Sequence, residues 1–341
     1  MPTPYRHTSP IPRKSATGLV AAVYEQMASD FLLADGPLMS LSSAPDILAA
    51  TWALTRESEI AGPAPRGNTE LVAVAVSRVN RCSYCIDAHT ALAHATGEHD
   101  LAEAVRGGET PADPRIASLV AWAGSTGSID AIPVSSLPFP VSEHVAYLGA
   151  ALVTHVINRV VQSLLHDRLL PGRLGSSATV RRLAGRAFAR TVRHDVEPGR
   201  SLDLLPRTDI CTLPAWAGET PVGAAWSALR LAAGRAGSLL GPDARERVRD
   251  VIAAWDGSRP DPALLDSMLV GLPDRDIPGV RLALRAALDP GAISDDMVAD
   301  WRRVHPSDGD LVRVVVFGAM LAVEQIARWT TTDNEFAMTG D

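Results

Sequence analysis

The chain has 341 residues with 32 basic and 39 acidic side chains; its net charge of −7 excludes the basic surplus that a nucleic-acid surface requires. Apolar residues make up 46 % of it but aromatic residues only 5 %, which points to a core of Ala, Leu and Val between closely approaching helices. Three cysteines are too few for a secreted disulfide scaffold, and the single lysine among the basic residues, Lys14, reads as a coding bias toward arginine.

In chain order, residues 1–14 are Pro-rich and carry no apolar run, so they are expected to form a flexible arm rather than a secretion signal. From there apolar residues recur at helical spacing and almost no segment alternates, so the fold class is all-α. Helices are expected over 17–34, 45–60, 69–80, 82–96, 114–124 and 142–165, with Asn68 and Asp113 as N-caps, Pro114 at a first helical position and Gly97 as a C-cap. The longest apolar run, 148–161, is broken by His155, Asn158 and Arg159 and is too polar and short for a bilayer. A soluble cytoplasmic protein with neither membrane nor nucleic-acid partners is the expectation.

A second helical series follows over 178–193, 221–240, 243–255, 262–270, 279–288, 294–304 and 308–330. It resembles the first. Ser177-Ala178-Thr179 opens it as Ser15-Ala16-Thr17 opens the first, Pro221 with Trp226 matches Pro45 with Trp52, and Glu246 before an apolar run matches Glu70. Gly149 with Arg159 ten residues on corresponds to Gly318 with Arg328 ten residues on. The expected organisation is an arm (1–14), a repeat carrying the cysteines (15–168), a degenerate repeat without them (169–332) and a tail (333–341), the two repeats packing about a pseudo-twofold axis. Where the first repeat has its cysteine helix, the second has Ser258-Arg259-Pro260-Asp261.

The chemistry concentrates in Cys82-Ser83-Tyr84-Cys85-Ile86-Asp87-Ala88-His89, preceded by Glu70. Two cysteines three apart can close a small disulfide, a histidine one turn on can manage a proton, and a carboxylate can set the histidine's charge. On a helix beginning near Cys82, the residues Cys82, Cys85 and His89 share one face, and the positive helix end favours thiolate. Whether Glu70 reaches them depends on the helix pair folding back on itself at Asn80 and Arg81. The same four side chains could instead hold zinc, although structural zinc sites more often offer a second Cys/His pair. His94 and His99 read as surface residues, His155 as a core histidine, Cys211 as an incidental thiol, and the tryptophans as core packing. The arginines 181, 182, 186, 190 and 193 form a basic stripe, read as a solvated or interdomain salt-bridge face, with docking of an acidic reductase as the alternative.

Glu70, eleven intervening residues, Cys82-x-x-Cys85, three more and His89 together resemble the active-site signature of the alkylhydroperoxidase D and carboxymuconolactone decarboxylase family. The resemblance is specific over 70–97 and vaguer over the rest of 15–165. It implies an all-helical, AhpD-like fold and a thiol-dependent peroxidase in which Cys85 attacks a hydroperoxide, Cys82 resolves it as a disulfide, and His89 with Glu70 relays the proton. It implies no bound cofactor and no metal. An external dithiol, lipoyl or thioredoxin-like, would be the reductant, and a homo-oligomer, most simply a dimer, the assembly. Family branches that decarboxylate a lactone lack the cysteine pair, which argues against that chemistry here. Tyr84 departs from the best-known peroxidase member, which has histidine between the cysteines. The contrasting expectation is a helical binding or assembly protein whose motif holds zinc or inert thiols.

Overall fold

The computed structural model describes residues 4–31, 36–166, 178–209 and 212–331. The expected tail, the junction between the expected repeats and Cys211 lie outside the described residues. Ala- and Leu-rich segments punctuated by Pro and Gly fold into fourteen α-helices; no strand occurs among the described residues, only an isolated bridge between Tyr5 and Leu165. The first half contributes α1 (Gly18–Asp30), α2 (Pro45–Thr55), α3 (Arg66–Val79), α4 (Ser83–Thr96), α5 (His99–Gly107), α6 (Pro114–Ser125) and α7 (Val141–Leu164). The second half contributes α8 (Ala178–Val192), α9 (Pro221–Ala236), α10 (Pro242–Ala253), α11 (Pro262–Ser267), α12 (Ile277–Leu288), α13 (Asp295–Arg302) and α14 (Asp308–Thr330).

Three local features differ from the sequence expectation. The span 45–60 is not one α-helix: α2 gives way to a π-helical turn, Arg56–Ile60, and the whole run from Ile47 to Glu59, Glu57 and Glu59 included, is buried on every side. Helix α5 was not expected, because nine residues with four ionisable side chains between Gly97 and Gly108 give too short a period to register. Asn68 does not cap α3, which begins at Arg66 after Pro65; its side-chain amide donates instead to the Tyr147 hydroxyl at 2.9 Å. Asp113 does cap α6, accepting from the Arg115 N–H, and Gly97 closes α4 in the left-handed conformation.

The two long helices α7 and α14 lie against each other at the centre, and α2 lies against α9. Helix α7 is long and apolar enough to cross a membrane by length and composition, but 83 % of its apolar window is buried inside the fold. Small residues set the spacing. A Cβ on Gly318 would come within 2.0 Å of the Ala283 carbonyl oxygen, so α14 and α12 touch backbone to backbone there. Gly149, its counterpart on α7, faces the side chains of Ser58 and Val222 instead. Likewise α7 is covered by α3, whereas α14 is covered chiefly by α12 rather than by α10, the helix that the sequence pairs with α3.

Trp52, Trp122, Trp226 and Trp301 are buried in this core, as their positions on apolar faces imply. Residues 4–14 run across both halves. The Arg6 N–H donates to Leu164 O (2.8 Å), Ile11 N–H to Ser42 Oγ (2.8 Å) and Ser9 N–H to Asp308 Oδ2 (2.7 Å), while Arg302 Nη2 donates to His7 O (2.7 Å).

Candidate active site

Helices α3 and α4 form a tight antiparallel pair joined by Asn80, Arg81 and Cys82. Arg81 has φ of 55°, which among the described residues no other non-glycine side chain adopts, and this left-handed step reverses the chain. Cys82 is the N-cap residue of α4, its N–H donating to Ser77 O at 2.9 Å, and Cys85 lies in the first turn. The unsatisfied N–H groups of that turn make it a site where a thiolate is favoured. The two cysteines are paired as a disulfide across a Cα–Cα distance of 5.3 Å, and each residue is only 2 % exposed.

The reversal brings Glu70 back to α4. Glu70 Oε2 lies 2.7 Å from His89 Nδ1, one helical turn beyond Cys85, and Oε1 accepts from Arg66 Nε at 2.8 Å. All four residues named from the sequence therefore sit on one helix pair, with Arg66 added. Burial would push the Glu70 carboxyl up, but the Arg66 guanidinium and the His89 hydrogen bond outweigh it and hold the carboxyl below its ordinary range. Burial likewise disfavours a charged His89, yet the bond and charge of Glu70, with the charge of Glu59, raise its pKa above the usual value.

Glu59 has no counterpart in the sequence reading. The π-helical turn delivers it into the same buried field, where Thr154 Oγ1 reaches its Oε1 at 3.4 Å and Thr69 Oγ1 donates to its carbonyl at 3.1 Å. Burial lifts its pKa to about 7, Glu70 adding to the rise and His89 and Arg66 opposing it. No spacing rule identifies such a residue, because its burial comes from the helices packed around Ile47–Glu59 on every side and not from the local sequence. Its neighbour Glu57 is spent on structure, accepting from Arg56 Nη1 (2.6 Å), Ser201 Oγ (2.6 Å) and the Gly199 N–H (2.7 Å).

His94 is not a surface residue. It is 1 % exposed, with Nε2 2.8 Å from Glu103 Oε1 and Nδ1 3.1 Å from His99 Nδ1, both on α5, while α8 lies along α4 on the same side. His99 is half-buried beside it. The arginine stripe holds α8 there: Arg181 pairs with Glu103 (2.6 Å), Arg182 with Asp100 (3.1 Å), and Arg193 Nε donates to Ala95 O (2.9 Å). His155 is fully buried, contacting Asn80 Nδ2 and Thr126 Oγ1 at 2.9 Å each; burial, reinforced by Arg159, keeps it well below its ordinary pKa and neutral.

Among the described residues no group of three or more His, Cys, Asp or Glu side chains is arranged to hold a metal ion. The sulfurs face each other, and Glu70 engages His89 Nδ1 with one oxygen and Arg66 with the other.

An all-α fold with paired thiols at a helix start, backed by a buried carboxylate–imidazole pair, defines a helical dithiol protein. A sequence model of the carboxymuconolactone decarboxylase family matches residues 45–127, the span from α2 through α6 that carries the pair. An alkyl hydroperoxide reductase of Mycobacterium tuberculosis is 37 % identical over 335 residues, covering 95 % of this chain and 94 % of that protein. The chain belongs to the carboxymuconolactone decarboxylase family, among its AhpD-like members. The similarity to the mycobacterial protein runs through the second half as well as the first.

Proposed function

We propose that the protein is a thiol-dependent peroxidase that reduces organic hydroperoxides through Cys82 and Cys85. The observation that carries this reading is the disulfide pair at the start of α4 beside the His89–Glu70 bond. The name of the mycobacterial relative, an alkyl hydroperoxide reductase, agrees with it. In the reduced protein His89 takes the Cys85 proton, helped by the N–H groups of the first turn of α4. The Cys85 thiolate attacks the terminal peroxide oxygen, the O–O bond breaks, and the alkoxide leaves as an alcohol with the proton His89 returns. Cys85 is then a sulfenic acid, and the Cys82 thiol displaces water from it to form the disulfide. An external dithiol, lipoyl or thioredoxin-like, restores both thiols by exchange. Glu70 holds the imidazole in place and charged when needed, and Arg66 holds Glu70.

The second half, 169–332, has no cysteine pair; it serves this reading as the body that covers α4 and α7. We take it as a degenerate copy of 15–168, with the pseudo-twofold inside one chain replacing a subunit contact, and we place the protein in a reducing compartment as a small homo-oligomer, most simply a dimer.

The test is thiol counting with and without an alkyl hydroperoxide. Two thiols per chain should disappear with one equivalent of peroxide, and peptide mapping should place the bond between Cys82 and Cys85. Cys85→Ser should abolish the reaction, whereas Cys82→Ser should stop at a sulfenic acid that dimedone traps. Undiminished peroxide turnover in Cys85→Ser would overturn the assignment.

A further inference from the structure

A polar cavity of about 400 Å³ opens between the two halves. Arg81 and Ser83, the residues on either side of Cys82, form part of its wall. From the second half the wall takes Trp255, Leu288 and the stretch around Ser258 and Arg259, which the sequence sets in the place of the missing second cysteine helix.

One wall residue is electrostatically incomplete. Arg159 on α7 is 6 % exposed, and its guanidinium donates only to neutral acceptors: Nε to Ala287 O at 2.9 Å, and Nη1 to His155 O at 3.1 Å with His155 Nδ1 at 3.4 Å. Among the described residues Nη2 has no hydrogen-bond partner, and no carboxylate lies within ion-pair distance of the group. Burial alone accounts for its pKa being lowered to about 10, and His155 beside it is neutral. The guanidinium lies 5.8 Å from the centroid of the Trp255 ring. Asp289 also lines the cavity, but it is engaged by Arg259 and by Arg285 Nη1, so it is not available to Arg159. A buried cation without a counter-charge is costly, and a cavity at its side is where the counter-charge can enter.

We propose that this cavity is a carboxylate-binding site for small organic acids with an apolar tail, in which Arg159 supplies the counter-charge and Trp255 and Leu288 the apolar wall. The volume suits an acid of about six to ten carbons, at the small end of ligand pockets. A guanidinium is the side chain best matched to a carboxylate. Because Arg81 and Ser83 flank Cys82, an acid seated here lies beside the thiol helix. On the peroxidase reading, on which this extension rests, the preferred substrates are hydroperoxides that carry a carboxylate. Their reaction is the ordinary one: dithiol and hydroperoxide give disulfide, alcohol and water.

Binding can be measured without turnover, by calorimetry on the full-length disulfide form with hexanoate, hexanamide and inorganic phosphate. Hexanoate should bind at least tenfold more tightly than either, since the amide lacks the charge and phosphate lacks the tail. Arg159→Gln should erase the preference. Because that change also alters the hydrogen bond to Ala287, a second variant, Gly291→Asp, is informative. Gly291 lines the cavity, and a Cβ there would meet nothing nearer than Gln162 Oε1 at 3.7 Å, so the new carboxylate fits and should abolish hexanoate binding. Equal affinity for hexanoate and hexanamide, phosphate binding as tight as hexanoate, or hexanoate binding unchanged in Gly291→Asp would each overturn the site. Comparing a hydroperoxy acid with its methyl ester tests the extension: a wild-type rate advantage of tenfold or more supports it, and equal rates refute it. Peroxide turnover surviving in Cys85→Ser would instead sink the thiol mechanism while leaving hexanoate binding in place.

Discussion

At the scale of single residues, the buried ionisable set Glu59, Arg66, Glu70 and His89 makes stability depend on pH from two directions. His89 is held above its ordinary value, so its contribution is complete below the unfolded value of about 6.5 and fades as the pH rises through the folded one. Glu70 is held low, so its contribution is complete above about 4.5 and fades as the pH falls through its depressed value. Glu59 acts the other way. Its carboxyl, raised from 4.5 to about 7, favours the protonated form, so the folded state loses stability as the pH climbs across that interval. Glu59→Gln should therefore stabilise the protein at pH 8, by up to about 3 kcal/mol, and hardly at all at pH 4. Urea melts at both pH values check this, and an equal gain at both would remove the electrostatic explanation. Glu70→Gln should let burial lower the His89 pKa and slow Cys85 oxidation by roughly 10²-fold, read by stopped-flow mixing with peroxide. The motif of Cys82, Cys85, His89 and Glu70 was legible through the family resemblance its spacing carries, but whether Glu70 meets His89 was not, because that depends on the chain reversal at Arg81. Glu59 and Arg159 were not: one is buried by distant helices packed around its own, and the other meets only neutral acceptors, on Ala287 and His155, where a carboxylate would be expected.

At the scale of helices, most of the chain was readable, because Pro, Gly and capping residues mark the ends of long amphipathic segments. Asp113 with Pro114, Thr220 with Pro221 and Ser307 before α14 all form the caps their residue types favour. What escaped was either short, as α5, or set by a neighbour. His94 shows the second case: on α4 alone it points away from the thiols and reads as solvated, and it is buried by α5, through His99 and Glu103, together with α8 crossing at Gly185. A Cβ at Gly185 would meet His94 Cβ at 2.7 Å and the Ala91 carbonyl oxygen at 3.0 Å. The two glycines that the sequence equates should respond differently to the same change. Gly318→Ala pushes against a backbone oxygen that cannot turn aside, and should cost at least about 2 kcal/mol. Gly149→Ala pushes against the side chains of Ser58 and Val222 and should cost less. Urea midpoints of the two variants, measured side by side, decide it; equal losses would mean that α12 and α14 can part more easily than their geometry implies.

At the scale of the molecule, the first half does not close on itself. The face of α7 against α14, that of α2 against α9 and that of α4 against α8 would all be bare in a fragment of residues 1–166. Such a fragment should form no stable monomer and should self-associate or precipitate, as size-exclusion chromatography would show. A monomer with a cooperative melt would count against the dependence of one half on the other. The N-terminal segment carries the same dependence into time. Ser9 bonds Asp308, 299 positions away, and His7 accepts from Arg302. A ribosome emits the early residues long before those partners exist, while α3 and α4, joined by a three-residue reversal, can pair as soon as they emerge. A nascent chain thus has its two thiols next to each other well before the core that buries them is complete. The vulnerable interval for stray oxidation lies during synthesis, and the last helix made is what lets the first residues lock.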